Sequence, residues 1–455
     1  MRAWCFVAGL FLAACSGNEP ITPDVAHDAG SHLDGGALRD GGTRADAGPL
    51  RDAGPAGDAG PPHDAGPPHD AGPARDAGLP PIDPACTTNG CLREVRVFAS
   101  ATRAQLAALI APSLTIDNGY TVYTIRFATN GDESLATVTV PDAEPPPGGF
   151  AIVGNNHGTS GVDDPCRLSD SAYGAGLAGL FGARGMIGVA VDYPGLGTPG
   201  LHPYLVRESE GAASLDGLRA ATALAARLDV ATSGRYAVVG LSQGGHATLA
   251  AAMMHDDYAP ELDIKAFSAT APASVWDAQW STSAPLFGSH HVFFVMAFAA
   301  WADHYGWTND VFLPSVRPTI DGALATWCVT NDAGGPTLFT TIPYDPAQLY
   351  APGFAQAFAA RDWSTYAEVG AAFDANAVAP YTQTAPLRIY QGSADTVVPE
   401  AFTTEVVQSL RAGGVDVDYV VVDQGTHTDV AWGFLAFEER RTTESIAWLR
   451  ARLAE

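Results

Sequence analysis

Positive charge is scarce in this chain of 455 residues: 24 lysines and arginines stand against 50 aspartates and glutamates, for a formal charge of −26. Such a chain repels a phosphate backbone or an anionic membrane surface, so nucleic acid is excluded as a partner. Metal-ligand patterns are missing as well, with no HExxH, no CxxC and no clustered set of histidines and cysteines. A metal site therefore has no basis in the sequence, and no cofactor is expected. No repeat of roughly 40–50 residues recurs, which argues against a propeller. Long apolar runs are absent too; AWCFVAGLFLAA, near the start, is too short to cross a bilayer.

That short run reads instead as an export signal over residues 1–15, with Arg2 as the positive start and small residues before Cys15. LAAC, from Leu12 to Cys15, resembles the lipobox of bacterial lipoproteins, which implies an acylated Cys15 that anchors the chain to a membrane. Ser16 in the next position favours the outer membrane by the same resemblance. Residues 16–85 then repeat DAG, with Pro-Pro and His or Arg between. They have almost nothing to bury, cannot offset their chain entropy, and read as a disordered tether. At roughly 3 Å per residue the tether could hold a domain on the order of 100 Å from its anchor. Its eleven aspartates and one glutamate against four arginines leave most of the negative charge to residues 86–455.

Four of the six cysteines lie beyond the signal: Cys86, Cys91, Cys166 and Cys328. An even number in an oxidising compartment suggests disulfides, with three possible connectivities. Cys86 and Cys91, separated by TTNG, can close a small local loop, which leaves Cys166 with Cys328. Four buried free thiols are the bland alternative.

Hydrophobic residues make up 47% of the chain, ample for a large core. YTVYTIRFAT and LATVTV, joined by NGDE, read as an antiparallel pair. FAIVGN (150–155), MIGVAVD (186–192), RYAVVG (235–240) and IKAFSAT (264–270) read as buried strands separated by helical segments such as RESEGAASLDGLRAATALAARL (207–228). Two further strands, LRIYQG (387–392) and VDYVVVD (417–423), flank a helix over 400–411, and a last helix spans roughly 430–453. Strand and helix in alternation predict an α/β fold, a mainly parallel sheet with helices on both faces. Between 272 and 385 the alternation stops, and that stretch holds 20 of the 42 aromatic residues and six of the nine tryptophans. It reads as an insertion with helical runs that packs its own small core and also presents apolar surface to a ligand.

In an open parallel sheet, ligands bind beyond the carboxyl ends of the strands. The loop there after RYAVVG is LSQGG, which places Ser242 between Gly240 and Gly244. In a chain with 49 glycines this pattern alone is weak; a strand before it and a helix after it make it a nucleophile elbow. A serine hydroxyl needs a histidine to take its proton and a carboxylate to hold that histidine's tautomer. The strand ending in GSADTVVP offers Asp395, and the strand ending in DQGTHTDV offers His427. Asp429 is a competing acid, too near the histidine to reach it without a strained turn. His246 reads as a packed helix residue, His290 and His291 as surface, lid or pocket residues of the aromatic insertion, and Asp192 as structural. Backbone N–H donors for a developing oxyanion would come from Gln243 and from Thr159 in NNHGTSG.

HGTSGVDDPC, DYPGLGTPGLHPYLVRESEGAASLDGLRA and GLSQGGHA together resemble the secreted bacterial α/β-hydrolases related to the secretory lipases, a group that includes a fungal lipase with a large helical cap. The resemblance spans roughly 93–455. It implies an α/β-hydrolase fold with Ser242, Asp395 and His427 as nucleophile, acid and base. It also implies a cap inserted before the acid-bearing strand, and a bridge from Cys166 to Cys328 in that cap. The expected activity is that of a serine lipase or carboxylesterase on apolar acyl esters. Two rivals share the fold: a prolyl-oligopeptidase-type peptidase, and a binding lipoprotein that uses it only as a scaffold.

Overall fold

The computed structural model describes residues 81–110, 115–284, 288–308, 310–331, 334–427 and 439–455. Among the described residues nine strands form one sheet: β1 Leu92–Ala101, β2 Gly119–Thr129, β3 Asp132–Asp142, β4 Phe150–Asn156, β5 Ile187–Asp192, β6 Thr232–Leu241, β7 Asp263–Thr270, β8 Leu387–Gly392 and β9 Val417–Val422. Their order is β1-β2-β3-β5-β4-β6-β7-β8-β9. The pairs from β1 through β3 to β5 are antiparallel, and every pair from β5 through β4 to β9 is parallel. Asn130 and Gly131 turn β2 into β3 with φ of 41° and 87°, the left-handed pair that matches the twist of a two-residue hairpin.

Strand alternation sorts the core into two layers. Val153, Ala237, Val239 and Ala266 face helices α2 (Ala172–Gly182) and α11 (Glu439–Ala454). Ile152, Val238, Phe267 and Ile389 face α3 (Arg207–Arg227), α4 (Gln243–Tyr258) and α10 (Glu400–Ala412). Apolar side chains therefore point both ways from each central strand, as continuous apolar runs require. A short helix, α1 (Arg103–Ile110), follows the edge strand β1. That strand was not foreseen.

Between β7 and β8 the chain forms the cap: α5 (Asp277–Ser283), α6 (Val292–Tyr305), α7 (Arg317–Leu324), α8 (Pro352–Ala360) and α9 (Ala367–Asn376), with two single helical turns between α7 and α8. Its core is aromatic. Trp280 stacks on Trp301 at 5.6 Å, and Phe298 sets its ring edge-to-face against Trp301, Phe354 and Phe358. Tyr204, Leu205 and Val206, from the segment before α3, belong to the same cluster. Most of the cap's aromatic residues are thus consumed by its own packing, and a smaller set is left half-buried.

Candidate active site

Chain direction makes the site. From β4 the chain passes to β5 on one side and then crosses to β6 on the other, so the carboxyl ends of β4 and β6 border the crevice where the order reverses. β6 gives way to α4 with a single residue between them, Ser242, at φ 57° and ψ −114°. A non-glycine residue is held there at a cost, so the surrounding bonds must over-determine it. They do: Ser242 N–H donates to Thr270 O at 2.9 Å, and Ser242 O accepts from His246 N–H and Ala273 N–H. The Ser242 hydroxyl makes no capping bond to its own helix. Glycine is required on both sides of the turn. A Cβ on Gly240 would lie 2.1 Å from Gly244 O, and one on Gly244 would lie 1.9 Å from Asn156 O.

Further along the same rim, past β7, the ends of β8 and β9 meet. His427 Nδ1 lies 2.7 Å from Asp395 Oδ2. Asp395 Oδ1 accepts from Val397 N–H and Val398 N–H, both at 2.8 Å, and Oδ2 also accepts from Gln391 Nε2 at 3.1 Å. The Asp395 side chain is sealed from solvent, while His427 keeps some exposure. A carboxylate so fully supplied with donors fixes the Nδ1–H tautomer of the histidine and leaves Nε2 free to accept a proton. Asp429 lies outside the described residues.

The loop after β4 carries the other expected donor. Thr159 Oγ1 lies 2.9 Å from Tyr204 Oη, and burial raises the Tyr204 pKa so that the phenol stays protonated. Next to it His157 is buried with its Nε2 3.9 Å from Asp192, and burial lowers its pKa against the pull of that carboxylate. Asp192 accepts from the N–H groups of Leu168 and Ser169, a structural part that holds the chain after Cys166. Both disulfides form, Cys86–Cys91 and Cys166–Cys328, the second joining this loop to the cap. Val329 N–H donates to Ser160 O at 2.8 Å beside it.

Three residues acquire surroundings that the sequence did not reveal. His246 is fully buried against Glu210, a side chain that the sequence reading passed over. His291 is buried with Nε2 on Tyr350 Oη at 2.8 Å, and burial lowers its pKa to about 4. His290 stacks on Phe293 and meets Phe339 edge-on, and its pKa is lowered by burial and then by His427 nearby. A half-buried aromatic pair therefore stands close to the Asp395–His427 pair. Among the described residues no three His, Cys, Asp or Glu side chains gather as metal ligands, and no helix is long and apolar enough to cross a membrane.

Residues 178–277, which include Ser242, match the family model described as secretory lipase. That segment resembles the secretory lipases, and the fold is that of an α/β-hydrolase. The rice cell wall degrading esterase LipA from Xanthomonas oryzae shares the fold at TM-score 0.65 and 20% identity, over 79% of this chain and 96% of that one. A putative hydrolase from Legionella pneumophila matches at TM-score 0.64 and 21% identity, over 79% of this chain and 98% of that one. Candida antarctica lipase A in its closed state matches at 0.60 and 16%, over 84% of each chain. Among curated proteins no relative matches.

Proposed function

We propose that this hydrolase cleaves apolar acyl esters through an acyl-enzyme on Ser242, with His427 as general base and Asp395 as its orienting acid. The observation that carries this reading is the 2.7 Å bond between Asp395 and His427, at the ends of adjacent strands, on the rim where Ser242 is held in its strained turn. Ser242 Oγ attacks the ester carbonyl as His427 Nε2 takes its proton; Gln243 N–H and Thr159 N–H receive the oxyanion. The tetrahedral intermediate expels the alcohol, which takes the proton back from His427. Water, deprotonated by His427, then attacks the acyl carbon and returns Ser242 with release of the carboxylic acid.

Support for an apolar acyl group comes from Phe293 and Phe339 around His290, near the acid–base pair. The test is turnover of p-nitrophenyl esters of increasing chain length, and of peptide anilides, by the full chain in mild detergent with Ser242→Ala alongside. Ester turnover should be lost in Ser242→Ala and should be higher on medium or long acyl chains than on acetate. Ester turnover that survives the substitution removes the mechanism, and cleavage of anilides alone would favour the peptidase. We further propose that Cys15 is acylated and that residues 16–85 tether the enzyme to its membrane. Metabolic labelling with palmitate that persists in Cys15→Ser would sink that part.

A further inference from the structure

The fully buried carboxylate of Glu210, on the first turn of α3, has no part in the chemistry just described, yet it touches both sides of the oxyanion site. We infer that Glu210 is a positioning residue, one carboxylate that holds the two arms of the oxyanion hole in register. This inference rests on the serine-hydrolase reading above.

The first arm is the elbow. Gln243, whose backbone N–H is an oxyanion donor, has its side-chain Nε2 2.8 Å from Glu210 Oε1 and 2.7 Å from His202 Nε2. His202 Nδ1 faces Pro194 O at 3.0 Å, and a carbonyl can only accept, so Nδ1 carries the hydrogen and Nε2 is an acceptor. Burial, aided by His157, lowers the His202 pKa to about 3, which keeps the ring neutral and able to accept. Both amide hydrogens of Gln243 are thereby assigned. One turn further on, His246 Nδ1 lies 2.7 Å from Glu210 Oε2, and its Nε2 donates to Asn376 O at 3.0 Å, where the cap's last helix ends.

The second arm is the loop that carries Thr159. Glu210 Oε1 accepts from Leu205 N–H at 2.9 Å, and Leu205 sits at φ 56°, a conformation that a leucine keeps only when neighbouring bonds impose it. Leu205 fixes the preceding residue, Tyr204, whose hydroxyl meets Thr159 Oγ1 at 2.9 Å. Trp301 of the cap adds a bond to Tyr204 O at 3.0 Å. The same oxygen, Oε1, thus receives one N–H from each arm. With the carboxylate gone, the Leu205 turn and the Gln243 side chain lose their shared acceptor and the two donors can drift apart.

The experiment compares Glu210→Ala, Glu210→Asp and Glu210→Gln in the full chain, with kcat and KM on a p-nitrophenyl ester and thermal unfolding to show that each is folded. An oxyanion donor displaced from its place costs roughly 100-fold in kcat, so Glu210→Ala should lose on the order of 100-fold in kcat with KM within about threefold. Glu210→Gln keeps an oxygen for Leu205 N–H and Gln243 Nε2 and places an N–H toward His246 Nδ1, and it should retain kcat within about fivefold. Glu210→Asp keeps the charge but withdraws the oxygens by a bond length, and it should lose at least tenfold; it decides the matter should the alanine variant fail to fold. A folded Ala or Asp variant with the parent kcat overturns the inference. Ester turnover by Ser242→Ala would instead condemn the serine-hydrolase reading itself, so the two failures are distinguishable.

Discussion

Replacing Asp395 by asparagine tests the acid's role more sharply than removing it, because the structure dictates how the amide must sit. Oδ1 receives two backbone N–H groups, from Val397 and Val398, each at 2.8 Å. An NH₂ group turned toward them would set donors against donors that the backbone cannot move. Oδ2 receives one side-chain donor, Gln391 Nε2 at 3.1 Å, besides His427. The substituted amide therefore keeps its oxygen on the backbone pair and points its NH₂ at His427 Nδ1. The ring must then accept at Nδ1 and carry its hydrogen on Nε2, where it can no longer take the proton that the proposed mechanism draws from Ser242. The wrong tautomer in such a triad costs roughly 10⁴-fold in kcat, about 5 kcal/mol of transition-state stabilisation. Steady-state kinetics on a p-nitrophenyl ester at about pH 8, above the ordinary histidine pKa, should show that loss, with KM nearly unchanged and an unfolding temperature within a few degrees of the parent. A folded Asp395→Asn enzyme within tenfold of the parent kcat would refute the assignment of acid and base.

The disulfides should differ in worth. Cys166–Cys328 spans 162 residues and Cys86–Cys91 spans 5, so the chain-entropy argument gives roughly 5 kcal/mol for the first and about 2 kcal/mol for the second. Cys166→Ser with Cys328→Ser should lower the unfolding temperature several degrees further than the Cys86, Cys91 pair does, and equal shifts would contradict the estimate. Stability should also fall in acid. His202 and His291 titrate in the fold at about 3 and about 4, below the ordinary 6.5, because burial disfavours their charged forms. The unfolded chain takes up protons first as the pH drops below 6.5, so their contribution is complete above that value and is lost on the way down to 4 or 3. Asp192, pushed up by burial, works in the opposite sense and offsets part of the loss. Unfolding temperatures followed by circular dichroism should be level above about pH 7 and decline between about 6.5 and 4; a maximum near pH 4 would show that other groups dominate.

What could be read from the chain and what could not follow from how each residue comes to be buried. β4, β5 and β6 are apolar on both faces because helices cover both, so they stand out as continuous runs. β1 escaped notice because it is an edge strand with little to bury: Val97 is 62% and Phe98 40% exposed, and Arg93, Glu94 and Arg96 break any alternation. That Ser242, Asp395 and His427 lie at strand ends was legible because a strand end is a defined place in a parallel sheet.

Glu210 was not legible, and the reason is instructive. In RESEGA, Glu208 and Glu210 look alike, yet Glu208 is exposed and bonds Asn130, while Glu210 is sealed beneath the elbow. The difference is made by Gly211. A Cβ there would lie 2.6 Å from Met254 Sδ and 3.1 Å from the backbone of Ala250, so the glycine helps α3 approach α4 closely. With the helices that near, the side chain before the glycine has no path to water, and its charge must be met by donors on the facing helix. His246 and Gln243 supply them. An acidic residue beside a glycine within an alanine-rich helix is thus the one trace in the sequence of a carboxylate pressed against its neighbour. Two of its partners, Gln243 and His246, lie 33 and 36 residues away, on a helix whose placement only the fold supplies.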